Sequence, residues 1–173
     1  MSADTFLVLT VIGDDRPGLV GELSAAIAAH RGNWLESSMS HLAGQFAGIV
    51  KVAVPAAQAE ALKAALVRLA ALKVTAVSAA QKSVPAGRRL KLALVGHDRI
   101  GIVREVSQVL AQHAVNVEKL ETHTASAPMS AETLFHAQAE LLAGAALDTR
   151  ALKAELERLS DDLMVDITLD DTI

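Results

Sequence analysis

The sequence predicts an α+β fold in which one βαββαβ unit occurs twice in tandem. Three observations predict it: a long internal repeat, the same element order in each copy, and a 173-residue length that suits two small domains. V-I-G-D-D-R-P-G-L-V-G-E-L starts at Val11, and L-V-G-H-D-R-I-G-I-V-R-E-V starts at Leu94. Asp15 and Asp98, Arg16 and Arg99, Gly18 and Gly101, and Asn33 and Asn116 all share an offset of 83 (98 − 15). A-L-K-A-A-L-V-R-L at Ala61 answers A-L-K-A-E-L-E-R-L at Ala151, now at an offset of 90. The second copy therefore gains 7 residues (90 − 83), which the sequence places at Ser126–Ser130, where the first copy has only a Gly44 turn.

Each element has its own signal. Thr5 to Ile12 is β-rich and almost wholly apolar, as a central strand would be. From Pro17 onward, Leu19, Leu23 and Ile27 recur every four residues, a helical stripe with Pro17 in the first turn and Asp15 or Arg16 near the cap. Asn33 to Leu42 and Phe46 to Val54 read as strands joined by a hairpin turn at Gly44. A helix from Ala56, burying Leu62, Leu66 and Leu69, and a strand from Lys73 to Ala79 complete the unit. The second copy runs Leu90–Val95, Gly101–His113, Asn116–Ala125, Glu132–Leu141, Asp148–Ser160 and Leu163–Leu169, with Asp148 as an N-cap. This places the domains at 1–81 and 89–173, with 82–88 as linker. The order is the split βαβ of ferredoxin-like folds, whose right-handed crossovers put both helices on one sheet face. The partly polar second strands become edges, and covering them calls for a homodimer.

Composition narrows the function. The formal charge is −4, and no basic run exceeds Arg88-Arg89, so the phosphate contacts of nucleic-acid binding are not expected. The aromatics are Phe6, Trp34, Phe46 and Phe135, too few for stacking platforms along a single strand. Without cysteine there is no disulfide, thiolate metal site or Cys nucleophile, which suits the cytoplasm. The N-terminal run turns acidic after a short apolar stretch and reads as a first strand. No stretch approaches a membrane span.

The turn between first strand and first helix, D-D-R-P-G and H-D-R-I-G, is the candidate site. Its glycine admits a close backbone approach, and the helix start offers free N–H groups and a positive dipole end to a carboxylate. The candidate ligand-binding residues are Asp14, Asp15, Arg16, Gly18, Leu19 and Asn33, with His97, Asp98, Arg99, Gly101, Ile102 and Asn116 in the second copy. Asn33 and Asn116 open the next strand and offer a side-chain amide to an amine or carboxylate. The structural alternative is that Gly18 and Gly101 only permit tight helix–strand packing while the aspartates cap helices.

The D-R-P-G turn in a βαββαβ unit resembles the ACT domain, a regulatory module that binds amino acids. Two such units with no enzyme or DNA-binding domain attached resemble the glycine cleavage system transcriptional repressor family. The stretch from Thr124 to Phe135 is similar to that family's second-domain insertion. The resemblance runs from about Phe6 to Leu169, and it implies a small amino acid as ligand, glycine first, and a transcription factor as protein partner. Ile100 in place of Pro17, and His97 in place of Asp14, depart from the pattern and make the two sites inequivalent.

There is no His-Glu-x-x-His pair, G-x-S-x-G elbow, Walker A loop or G-x-G-x-x-G after a strand, so neither catalytic residues, cofactor nor metal are expected. His123 and His136 face each other only if the second hairpin keeps register. Asp14 and Asp15, adjacent in sequence, are expected to point apart. The expected function is an amino-acid-sensing regulator acting by protein contact. The rivals are a regulatory subunit of a metabolic enzyme and a small enzyme on a ferredoxin-like scaffold.

Overall fold

A computed structural model describes residues 4–80, 86–126 and 132–169. It divides the chain into two compact units, Met1–Ser83 and Val84–Ile173. The first is built from β1 (Asp4–Asp14), α1 (Leu19–Ala29), β2 (Asn33–Leu42), β3 (Gln45–Pro55), α2 (Ala56–Val67) and β4 (Lys73–Ala79). The second repeats the order with β5 (Arg88–His97), α3 (Ile102–Gln112), β6 (Asn116–Ser126), β7 (Thr133–Ala143), α4 (Thr149–Glu157) and β8 (Met164–Leu169). Each unit is a four-stranded antiparallel sheet, ordered β2-β3-β1-β4 and β6-β7-β5-β8. These are two tandem ferredoxin-like βαββαβ folds. The edge strands include β2 and β6.

Alternation along the central strand explains why each sheet has one covered face. Leu7, Leu9 and Val11 of β1 are buried with Leu19, Leu23 and Ile27 of α1 and Leu62 and Leu66 of α2. Period two on the strand meets the four-residue stripe on the helix. Leu90, Leu92 and Leu94 make the same core with Leu110, Leu152 and Leu156. No polar residue is buried among those described.

The opposite faces differ between the units. In the first unit, Val8, Thr10 and Ile12 lie beside Lys51 and Ile49 of β3 and Val77 and Thr75 of β4. In the second, Lys91 faces Glu140 of β7, and Lys119 of β6 lies beyond it. His123 does face His136, their rings stacked at 4.7 Å and within 2° of parallel.

Several local expectations need correcting. Pro17 does not open α1: the helix starts at Leu19 with Gly18 as N-cap, and no side chain caps it, so neither Asp15 nor Arg16 has that role. Asp148 does cap α4, its carboxylate accepting from the N–H groups of Arg150 at 2.9 Å and Ala151 at 3.1 Å. The extra 7 residues also divide. Phe46 pairs with Gly13, and Phe135 with Gly96, an offset of 89 (135 − 46), so six residues enter the hairpin and one falls between β7 and α4. In the first hairpin the two turn residues, Ala43 (φ 50°) and Gly44 (φ 80°), are both left-handed, as a tight primed turn demands. Residues 127–130 of the expected insertion, and 82–85 of the expected linker, lie outside the described residues.

The core predicts a sharp contrast in chemical denaturation. Leu62→Ala, at a fully buried position, should cost about 2–5 kcal/mol. Ile49→Ala, on the open face and half exposed, should stay within about 0.5 kcal/mol.

Candidate functional site

Both turns are pinned to the neighbouring hairpin by their backbone. The Asp15 N–H donates to the Gly44 carbonyl, and the Asp98 N–H donates to the Thr133 carbonyl, each at 2.9 Å. The chain then reverses into the helix through Gly18 (φ 96°) and Gly101 (φ 93°), left-handed conformations that a side chain resists. Their carbonyls accept the N–H groups of Glu22 at 2.9 Å and Glu105 at 3.0 Å, closing the first helical turn. Neither N-cap glycine offers a side-chain cap, so the early N–H groups of α1 and α3 carry the positive end of the helix dipole with no capping side chain, although the Ile102 N–H reaches the Arg99 carbonyl at 3.4 Å.

Each turn carries an arginine already held by a carboxylate from the first turn of its own helix. Arg16 reaches Glu22 at 2.6 Å. Arg99 grips Glu105 with two contacts, at 3.1 and 2.5 Å, and also donates to the Leu159 carbonyl at 3.4 Å. That fork holds the Glu105 carboxyl below its ordinary range and pushes the Arg99 guanidinium up. Reading the sequence for a turn motif did not single out Glu22 and Glu105, although they share the offset of 83 (105 − 22).

The remaining candidates separate. Asp14 accepts from the Gln45 side chain at 2.6 Å, whereas Asp15 lies 3.6 Å from His41, so the two carboxylates engage different residues of the same hairpin. Leu19 and Ile102 are buried in the cores, which leaves their backbone rather than their side chains to the turn. Asn33 pairs with Ala53, as does Phe6, which places Asn33 level with Phe6 and eight residues (14 − 6) from Asp14 along the sheet. At about 3.3 Å per residue that is roughly 26 Å. Asn116, across Leu142 from Arg89, stands equally far from His97. Within one unit, the turn and the asparagine therefore cannot meet on one small ligand.

His97 is where the copies diverge most. Its backbone N–H and its Nδ1 both approach Asp162 Oδ2, at 2.6 and 2.5 Å, and its Nε2 lies 2.9 Å from Glu132. Ser160 also donates to Asp162. The hydrogen bond to Glu132, then that to Asp162, raises the His97 pKa. The hydroxyl of Ser160 and the backbone N–H of His97 depress that of Asp162. Among the described residues no group of three or more His, Cys, Asp or Glu could hold a metal ion. No helix there is long and apolar enough to cross a membrane.

Two predictions follow from this geometry. Because the pKa of His97 is raised on folding, its contribution is present below the unfolded value near 6.5 and is lost as pH rises through the folded value. NMR titration of the imidazole should show that raised pKa, and His97→Gln should remove the corresponding part of the pH dependence of stability. In α1, Gly18→Ala should lower stability by about 1–2 kcal/mol through its backbone angle. Gly21→Ala should raise stability by up to about 1 kcal/mol in the same denaturation assay, since a Cβ there meets nothing within 4 Å.

Comparison with known proteins agrees with the fold. The family model described as ACT domain matches residues 5–77. A crystal structure of an unknown protein from Galdieria sulphuraria is 29% identical with a TM-score of 0.82, covering 97% of this chain and 99% of that one. A candidate glycine cleavage system transcriptional repressor is 17% identical with a TM-score of 0.73, covering 98% and 99%. No curated protein matches the chain. The ACT domain model thus covers the first unit, and the second unit repeats that unit's strand order.

Proposed function

We propose that this chain is a non-catalytic sensor of a small amino acid, glycine first. On this reading it regulates a protein partner by contact, a transcription factor of glycine cleavage or related amino-acid metabolism. The observation that carries the reading is the repeated turn. In both units a left-handed glycine opens a helix with no side-chain cap, and an arginine stands beside it. A ligand carboxylate placed there meets backbone N–H groups and the helix dipole, a gain of about 0.3–1 kcal/mol and up to about 2 when partly buried. The arginine's own glutamate competes for the same guanidinium, so binding exchanges one carboxylate for another. The fold resemblance to a candidate glycine cleavage system repressor supports glycine and transcription as the first choices to test.

Regulation then rests on differential affinity. A ligand that binds one arrangement of the protein better shifts the population toward it, and the partner reads that arrangement. With a formal charge of −4, the chain acts on DNA through its partner rather than by direct contact.

Thermal unfolding with the common amino acids tests this. Glycine at a hundred times its Kd should stabilise the protein by about 2.7 kcal/mol. Arg16→Gln with Arg99→Gln should weaken that response, and Gly18→Val with Gly101→Val should abolish it. If no amino acid raises the unfolding temperature, or if both turn variants respond as the parent does, the reading fails. Asn33→Ala and Asn116→Ala decide separately whether the far ends of the sheets contribute.

A further inference from the structure

His97 sets the second turn apart in a way that the amino-acid reading leaves unused. Its ring meets two acceptors at once: Nδ1 lies 2.5 Å from Asp162 Oδ2, and Nε2 lies 2.9 Å from Glu132. An imidazolium donates to both. A neutral imidazole has one N–H and must turn a lone pair toward the other carboxylate. Holding both contacts therefore requires the proton. The two carboxylates also belong to different segments. Glu132 adjoins Thr133, whose carbonyl takes the Asp98 N–H that pins the turn. Asp162 precedes β8, and the Leu159 carbonyl of the same segment takes an Arg99 N–H at 3.4 Å. His97 thus joins both flanks of the turn.

Of the two acceptors, Asp162 is the fixed one. It also accepts the His97 backbone N–H at 2.6 Å and the Ser160 hydroxyl, and both bonds survive loss of the ring charge. The Glu132 side chain is 61% exposed against 33% for Asp162, so water readily replaces its contact with the ring. The other charged groups around the ring are Asp98 next to it, Arg99 acting on Asp162, and Glu105 holding Arg99. His136 lies diagonally on the same sheet face, stacked on His123. The first unit has no counterpart. Asp14 takes the place of His97 and accepts from the Gln45 amide, which has no proton to lose near neutrality. Lys73 and Met164 pair at matching positions, an offset of 91 (164 − 73), which puts Ala71 where Asp162 stands. His41 approaches Asp15 only at 3.6 Å, beyond hydrogen-bond length.

We propose that His97 is a proton-operated brace on the second turn. Protonated, it ties Glu132 and Asp162 together; on giving its Nε2 proton to water, it releases Glu132 and loosens the Asp98–Thr133 clamp. The brace is present at acid pH and is lost as pH rises through the folded value of the ring, which lies above the ordinary 6.5. On the amino-acid reading, a looser turn holds a carboxylate less firmly, so the second site weakens toward alkaline pH while the first does not. That consequence rests on the reading, and the brace itself does not.

NMR on the full chain without any added ligand tests the brace. Imidazole nitrogen shifts from about pH 5 to 9 should show neutral His97 protonated on Nδ1. Over the same transition, protection of the Asp98 N–H, corrected for intrinsic exchange, should fall roughly two- to fivefold, the range of an exposed ion pair. Protection of the Asp15 N–H should stay level. Glu132→Gln supplies an amide that donates to the neutral ring, so Asp98 protection should stay level in that variant, with circular dichroism showing the parent's fold. Neutral His97 protonated on Nε2, Asp98 protection that ignores the His97 titration, or a fall that persists in Glu132→Gln would each overturn the proposal. A failed amino-acid screen alongside the expected shifts overturns the sensing function alone.

Discussion

The structure depends on one backbone constraint, the left-handed glycine through which each central strand turns into its helix. At Gly18 and Gly101, φ is 96° and 93°. That angle lets the chain leave the sheet end and lay Leu19, Leu23 and Ile27, or Ile102 and Leu110, over the strand it has just left. It also leaves no cap residue with a side chain. The property that directs the helix onto the sheet thus leaves its first turn without a side-chain cap, and the fold and the candidate site share one cause.

Around that shared turn the copies have been adjusted separately. In the first, Asp14 and Asp15 engage Gln45 and His41 across the adjacent hairpin. In the second, His97 is drawn between Asp162 and Glu132, which ties the approach to β8 and the start of β7 to the end of β5. The arginine is held by one contact to Glu22 and one to the Pro17 carbonyl in one copy, and by a fork to Glu105 plus the Leu159 carbonyl in the other. A carboxylate arriving at the second turn meets a guanidinium with more of its donors engaged. Inequivalence of the two turns therefore has a structural basis beyond the replacement of Pro17 by Ile100.

The sequence was legible where local pattern decides the outcome. The stripe of Leu19, Leu23 and Ile27 marks the buried helix face, the bounds of β2 and β4 are read as observed, and Asp148 sits where a cap must be. Local pattern failed at Pro17, because a proline suited to a first helical turn equally suits the turn before it. It failed for His97, whose partner Asp162 lies 65 residues away and is brought near only by strand β8 returning beside β5. It also grouped Asn33 with the Gly18 turn, since both flank α1. Helix α1 (about 16 Å for eleven residues) and the turns flanking it carry the chain from one end of the sheet to the other.

The strand order has a consequence for how the protein is made. β1 is paired on one side by β3 and on the other by β4, so the first sheet is complete once Ala79 has been synthesised. No strand of that sheet waits for a segment of the second unit. The ribosome can therefore release a closed first unit while the second is still being translated, which limits the time that its central strand stays unpaired. The same nested order repeats in the second unit, where β5 has to wait for β8, the last of the described strands to emerge.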